Sequence, residues 1–173
     1  RITPIRRRIG KRTIFNLMGP LANPARVSHQ LIGIARPDYA GLYAEALEQL
    51  GTARAAVISG EEGLDELSTA GPSLAVNVGS AALPSRITPE DAGLPRHPLA
   101  AIRGGDPAYN AAALRRLLDG EAGAYRDAVL LNAAAALVVA DHAPNLTAGA
   151  QAAAEALDAG RAAALLDRWI AYR

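Results

Sequence analysis

The feature that most constrains this chain is a strand–helix–strand pattern in its first third. Residues 30–35 (QLIGIA) have the composition of a buried strand, and residues 55–59 (AAVIS) form a second run that is apolar on both faces. A helix between them begins at Pro37 and ends at Gly51, because proline is tolerated in a first helical turn and glycine follows helix ends. Such a crossover usually connects parallel strands, so the pattern predicts an α/β fold.

The rest of the chain adds two short strands and further helices. Asp106 is a good helix N-cap, with Pro107 in the first turn. Residues 128–140 are apolar all round except for Asn132, which indicates a central buried helix with Asn132 hydrogen-bonded in the core. The predicted elements are strands 74–78 and 85–88, and helices 107–118, 125–140, 147–159 and 161–172. They predict one domain over residues 1–173, with a central, largely parallel sheet flanked by helices.

Charge and cysteine content exclude several classes of protein. The net charge is +1, so the chain has no general electrostatic attraction to nucleic acid or to a membrane. Six of its 18 basic residues nevertheless lie within the first twelve positions, which indicates a local anion site or an exposed helix face. The chain has no cysteine, which excludes disulfides and thiol chemistry and is compatible with a cytoplasmic protein.

Asp65 and Glu66, the acidic pair, are the strongest candidates for metal ligands. They lie in a glycine-rich turn after the strand 55–59, and ligands of open α/β sheets collect at the carboxyl ends of strands. Two neighbouring carboxylates in a turn can reach one cation, whereas neighbours in a straight strand point to opposite faces. Magnesium is usually held by one or two carboxylates together with substrate phosphates. The competing interpretation is a solvated acidic turn without a ligand.

The first 24 residues combine a basic helix with a rigid loop. Helical spacing gives residues 1–9 an apolar stripe with Arg6 at its edge, where the guanidinium fork can be aimed into a cleft. Gly10 can end this helix. The Gly-Pro step at Pro20 and the Asn-Pro step at Pro24 then hold the next segment extended or turned. Three basic side chains lie on the opposite face and are expected to be solvated: Arg7, Arg8 and Lys11.

The stretch from Arg6 to Pro24 resembles the signature loop of the anthranilate phosphoribosyltransferase family. The matching residues are Arg6, Ile9, Gly10 and the run from Arg12 to Pro24 (RTIFNLMGPLANP). Residues 63–66 (GLDE) match a second motif of the family. The resemblance implies a fold like that of nucleoside phosphorylases and phosphoribosyltransferases. It also implies transfer of a phosphoribosyl group from phosphoribosyl diphosphate to anthranilate, in tryptophan biosynthesis.

The resemblance also implies roles for individual residues. Arg6 matches an arginine that contacts the carboxylate of anthranilate, and Pro20 matches a proline that lines the same aromatic pocket. Asp65 and Glu66 match an acidic pair that binds Mg²⁺ carried by the sugar diphosphate. No residue of this chain is assigned as a general base, so positioning and electrostatics are expected to carry the transfer.

The resemblance covers nearly the whole chain but only about the C-terminal half of the family's protein. The expected missing part holds an N-terminal helical domain and the glycine-rich loop that binds the diphosphate. We therefore expect a partial domain that contributes one wall of the substrate site and is inactive alone. The family also implies a homodimer that forms through the missing domain.

Two other functions remain open at this point. A nucleic-acid-binding relative without the reaction is suggested by the basic start of the chain, but the near-neutral total charge disfavours it. A nucleoside phosphorylase of the same fold would bind phosphate and a nucleoside, and the loop sequence GPLANP at residues 19–24 disfavours it.

Overall fold

The computed structural model describes residues 8, 10, 11 and 13–172. In this part of the chain, four strands form one sheet: β1 (His29–Gly33), β2 (Arg54–Gly60), β3 (Ser73–Gly79) and β4 (Arg86–Ile87). The α-helices are α1 (Ala40–Gln49), α2 (Pro107–Leu118), α3 (Ala124–Val139), α4 (Leu146–Asp158) and α5 (Arg161–Ala171). Every strand and helix predicted after residue 29 is present, with ends shifted by a few residues.

The sheet is mixed, in the order β1-β2-β3-β4. β1 and β2 are parallel, as the strand–helix–strand pattern predicts. β3 and β4 each run antiparallel to the strand before them, so the α/β class is confirmed but the described sheet is not largely parallel. The reason lies in residues 61–72, which form turns instead of a crossover helix. A strand that is joined to the preceding strand by turns alone, as β3 is to β2, pairs with it in the antiparallel direction.

β2 lies at the centre of the core, and its side chains alternate between two helical layers. Ala55 and Val57 are fully buried in the cluster that contains α1. Ala56 and Ile58 point to the opposite face, where they join Leu131 and other residues of α3. Because successive side chains of a strand point to opposite faces, a strand that is apolar throughout must be covered on both sides.

α3 packs between the sheet and α4. Gly149 of α4 approaches so closely that a Cβ there would lie 2.8 Å from the Cα of Ala134. At the C-terminal end of α3, Arg54 donates to the carbonyl oxygens of Val138 and Val139, at 3.1 and 3.0 Å. These bonds satisfy acceptors that a helix end otherwise leaves unpaired. With 16 residues α3 is too short to cross a membrane, and no other described helix is long and apolar enough to do so.

Candidate functional site

The acid loop, defined as residues 61–72, connects the end of β2 to the start of β3. Its first turn closes on Gly60, whose N–H donates to the carbonyl of Leu64 at 2.8 Å. The carbonyl of Gly60 accepts the N–H of Gly63 at 2.9 Å. Gly63 has a φ of +88°, in the left-handed region that glycine enters without steric cost. The turn reverses the chain immediately before the acidic pair.

Gly33, at the carboxyl end of β1, lies directly against the backbone of Asp65. A Cβ at this position would lie 1.7 Å from the backbone oxygen of Asp65, so the approach requires glycine. Because β1 and β2 are parallel, the loop that follows β2 reaches the carboxyl ends of both strands. Asp65 and Glu66 therefore lie at the edge of the sheet where the sequence predicts them.

Buried polar contacts hold the other end of the acid loop. The side-chain amide of Asn132 accepts the N–H of Leu67 at 2.8 Å and donates to its carbonyl at 3.0 Å. The N–H of Ser68 donates to Ser73 Oγ at 2.9 Å, and the hydroxyl of Ser68 donates to the carboxylate of Glu62. Leu67 is 1% exposed and Ser68 is fully buried. The loop is therefore anchored directly behind the acidic pair.

The acidic pair itself has no partner in the described part of the chain. Asp65 and Glu66 are exposed, and neither side chain makes a hydrogen bond or an ion pair with another described residue. Partial loss of solvent raises the pKa of Glu66, and the negative charge of Asp65 raises it further. Glu61, by contrast, pairs with Arg86 at 3.2 Å. A cation between the two unpaired carboxylates would relieve their mutual repulsion.

The carboxylate oxygens of Asp65 and Glu66 are suitable ligands for a divalent metal ion that brings further ligands with it. Mg²⁺ prefers oxygen ligands and commonly takes one or two carboxylates together with phosphate oxygens and water. The described residues contain no group of three or more His, Asp or Glu side chains that could hold a metal ion. The acidic pair can therefore supply part of a magnesium coordination shell, and a phosphate-bearing ligand would have to supply more.

The Pro20 loop, defined as residues 13–24, borders an open cleft beside β1. Pro20 is half-buried in the 3₁₀ turn Gly19–Leu21. The cleft has a volume of about 460 Å³, and Pro20, Asn23 and Gly33 are among the residues that line it. Since Gly33 also contacts Asp65, one residue of β1 joins the cleft to the acid loop.

Gly33 connects the predicted site residues only indirectly: it contacts the backbone of Asp65, which Glu66 follows, and it lines the same cleft as Pro20. Neither Asp65 nor Glu66 lines that cleft. The fourth, Arg6, lies outside the described residues, as do Arg7 and the predicted apolar stripe. Arg8 and Lys11 are exposed, as predicted, and the φ of +64° at Gly10 suits a helix end.

A second cleft lies away from these residues, between α2 and the start of α3. It has a volume of about 280 Å³, and its lining includes Tyr109, Arg103, Arg116 and Arg126. Arg116 is paired with Glu121 and Arg126 with Asp158, each at 2.8 Å. Two of its three arginines are thus already neutralised within the chain, and none of the predicted site residues lines it.

Comparison with known proteins is consistent with this arrangement. The model of the glycosyl transferase family, a/b domain, matches residues 1–163. The chain belongs to this family.

Relatives within the glycosyl transferase family match the chain from end to end. It is 64% identical over 174 residues to the anthranilate phosphoribosyltransferase of Sphingopyxis alaskensis, covering 100% of this chain and 52% of the relative. It is 59% identical over 172 residues to that of Novosphingobium aromaticivorans, covering 99% and 52%. The chain therefore spans about half the length of the curated relatives it matches.

Solved structures of anthranilate phosphoribosyltransferases superpose closely on the chain. Anthranilate phosphoribosyltransferase from Thermus thermophilus has a TM-score of 0.88 at 45% identity, covering 98% of this chain and 50% of that one. The enzyme from Saccharomyces cerevisiae in complex with PRPP and Mg has a TM-score of 0.83 at 26% identity, covering 96% and 48%. The yeast enzyme in complex with 4-fluoroanthranilate has a TM-score of 0.79 at 27% identity, covering 92% and 47%.

Two features of this candidate site do not follow from the sequence. Gly33 is not singled out, although a glycine inside an apolar strand is a recognised sign of close backbone approach. Asn132 is predicted to be hydrogen-bonded in the core, but its partner Leu67 is not predicted. That partner lies 65 residues earlier in the chain, and no local pattern connects the two.

Proposed function

We propose that this chain forms one wall of the active site of an anthranilate phosphoribosyltransferase, which transfers the phosphoribosyl group of PRPP to the amine of anthranilate. The observation that carries the proposal is the acidic pair, exposed and unpartnered among the described residues at the carboxyl edge of the sheet, next to Gly33, which also lines the cleft bordered by Pro20. Relatives with this name are 64% and 59% identical to the chain. The remaining wall belongs to the part of those relatives that this chain does not match.

Each predicted site residue has a distinct task in this proposal. Asp65 and Glu66 hold a magnesium ion that arrives on the diphosphate of PRPP, because two carboxylates alone complete too little of its coordination shell. When bound, the ion supplies positive charge against the negative charge that grows on the leaving diphosphate. Arg6 binds the carboxylate of anthranilate through its planar fork, and Pro20 shapes the pocket for the aromatic ring.

The activity can be tested in a chimera that joins this chain to the part of the Sphingopyxis alaskensis relative that it does not match. At 64% identity the interface between the two parts should be largely preserved. We expect the chimera to consume anthranilate only when PRPP and Mg²⁺ are both present, and the chain Arg1–Arg173 alone to consume none. The loss of anthranilate fluorescence measures the rate. A folded chimera without activity, beside an active S. alaskensis enzyme, would contradict the proposal.

The acidic pair can be tested in the same chimera with the double variant Asp65→Asn/Glu66→Gln. These amides keep the shape of the side chains but remove both charges, so we expect turnover to fall about 10²- to 10³-fold, as for other lost electrostatic contacts in a transition state. The melting curve should change little, because exposed residues without partners contribute little to stability.

A matched control is Glu45→Gln/Glu48→Gln on α1, which removes two exposed carboxylates of the same charge elsewhere. It should leave turnover and magnesium dependence unchanged. If the acidic-pair variant keeps its rate and its magnesium dependence, residues 65 and 66 form only a solvated turn. Equal losses in both variants would point to total charge instead of a metal site.

A further inference from the structure

Asn132 makes an unusual set of contacts for a residue in an apolar helix. Its Oδ1 accepts the N–H of Leu67 at 2.8 Å, and its Nδ2 donates to the carbonyl of the same residue at 3.0 Å. The second N–H of that amide group donates to the carbonyl of Ala128 within α3, also at 3.0 Å. One side chain therefore holds both backbone groups of Leu67, and both of its own N–H groups are in use.

We call the two hydrogen bonds between the Asn132 amide and the backbone of Leu67 the Asn132 clamp. The position of Leu67 connects this clamp to the candidate site. Leu67 directly follows Glu66. The orientation of the Leu67 peptide groups therefore determines the direction in which the neighbouring side chains of Glu66 and Asp65 project from the backbone. The buried side chain of Leu67, which is 1% exposed, also attaches the loop to the core. Burial of an apolar side chain is not directional, however, whereas a two-point hydrogen bond selects one orientation of the peptide groups.

We propose that Asn132 is a positioning residue for the acidic pair: its amide orients the backbone at Leu67 so that Asp65 and Glu66 present their carboxylates to one cation. This inference rests on the proposed function of the acidic pair. The carboxylates have no partner of their own among the described residues, so their direction depends on the backbone on either side of them. Gly33 supports that backbone at Asp65, and Asn132 orients it after Glu66.

The chain contains a matched control for this clamp. Asn77 on β3 holds both backbone groups of Leu83 in the same way, accepting its N–H at 3.1 Å and donating to its carbonyl at 2.7 Å. Both asparagines are half-buried, and both leucines are buried. Asn77 lies opposite Ala56, near the beginning of β2 and away from the acid loop. Losing either clamp should therefore cost similar stability, but only one clamp adjoins the acidic pair.

The experiment compares Asn132→Ala with Asn77→Ala in the chimera. We expect Asn132→Ala to raise the Mg²⁺ concentration for half-maximal rate by about tenfold or more, the usual effect of removing a residue that orients a metal ligand. It should also reduce the rise in melting temperature that Mg²⁺ with PRPP produces, and speed hydrogen exchange in residues 61–72. The KM for anthranilate should stay unchanged. Asn77→Ala should lower the melting temperature comparably and leave the other measurements as they are.

The outcomes separate this inference from the proposed function. If the Asp65→Asn/Glu66→Gln variant loses magnesium dependence but Asn132→Ala behaves like Asn77→Ala, Asn132 is only a structural residue and the inference is wrong. If the acidic-pair variant keeps its magnesium dependence, the proposed function of that pair has failed. Should Asn132→Ala not fold, Asn132→Ser provides the same comparison, because its shorter hydroxyl cannot span both backbone groups of Leu67 but keeps a polar atom at the site.

Discussion

The acid loop contacts Gly33 and the Pro20 loop borders the cleft that Gly33 lines, but the two loops are held in different ways. The acid loop is supported at Asp65 by Gly33 and at Leu67 by Asn132. In the Pro20 loop, Ile14 and Phe15 are 65% and 68% exposed. Its attachment to the helical layer includes a hydrogen bond of 2.6 Å from the hydroxyl of Tyr43 to the carbonyl of Leu17.

This difference shows which part of the site the chain can shape by itself. Under the proposed function the two carboxylates share a cation and need a defined direction, which backbone contacts at Asp65 and Leu67 would supply. Under the proposed function Pro20 only shapes a pocket for an aromatic ring, and the part of the relatives that this chain does not match would complete that pocket. Ile14 and Phe15 of the Pro20 loop thus remain largely exposed, whereas the acid loop is anchored by buried residues on one side and by Gly33 on the other.

Among single substitutions, Gly33→Ala should have the largest effect, because Gly33 contacts the acid loop and lines the cleft that Pro20 borders. The added Cβ would lie 1.7 Å from the carbonyl oxygen of Asp65, so the acid loop must move away. We expect unfolding free energy to fall by about 1–3 kcal/mol, as for other overpacked sites. Activity of the chimera should fall about 100-fold, since a displacement of this size misplaces the acidic pair. Denaturant titration and steady-state kinetics measure the two effects.

The control for this change is Gly41→Ala in α1. A Cβ at Gly41 meets nothing within 4 Å, and alanine is favoured over glycine in a helix by about 1 kcal/mol. This variant should be as stable as the original chimera or more so, with normal activity. Normal activity in Gly33→Ala as well would show that the acid loop does not depend on its contact with β1.

Arg6→Ala should act on the anthranilate side of the site only. The substitution removes one charged hydrogen-bonding partner, typically worth about 1.5–3 kcal/mol, so we expect the KM for anthranilate to rise about 10- to 100-fold. The KM for PRPP and the magnesium dependence should not change. Arg8→Ala, which removes an exposed arginine two positions away, is the control and should change neither constant. An effect of Arg6→Ala confined to PRPP would refute the assignment of Arg6 to anthranilate.

The smallest effects concern the stability contributed by single carboxylates. The hydrogen bond from Arg96 lowers the pKa of Glu90 to about 2, so ionised Glu90 stabilises the fold at neutral pH. Loss of solvent and the charge of Asp65 raise the pKa of Glu66, so its ionised form slightly destabilises the fold. Glu90→Gln should therefore lower the melting temperature at pH 7, and Glu66→Gln should raise it slightly.

The pH dependence provides the check on these signs. The stability that Glu90 contributes is present above the ordinary pKa of Glu and is lost as pH falls toward about 2, so the Glu90→Gln difference should vanish in strong acid. The gain from Glu66→Gln should disappear as pH falls below the ordinary pKa of Glu. A destabilised Glu66→Gln variant at pH 7 would show that the acidic pair has a stabilising partner.

Much of this fold follows from the sequence because its signals are local. The periodicity of β1, α1 and β2 predicts a parallel pair, and that pair alone places the acidic turn at the carboxyl edge. The direction of β3 cannot be predicted from such local signals, since it depends on residues 61–72 turning back without a helix. The contacts of Gly33 and Asn132 do not follow either. Each joins residues far apart in the chain, and their distances depend on the packed core.

The contacts of α3 also indicate the order in which parts of the protein fold. Arg54 reaches the carbonyl of Val139 across 85 residues, and Leu67 meets Asn132 across 65. Contacts that close such long loops carry a large entropic cost and form late in folding. A chain synthesised only as far as residue 131 therefore contains both carboxylates of the acidic pair and the Gly33 that contacts Asp65, but not the Asn132 amide that holds the backbone of Leu67.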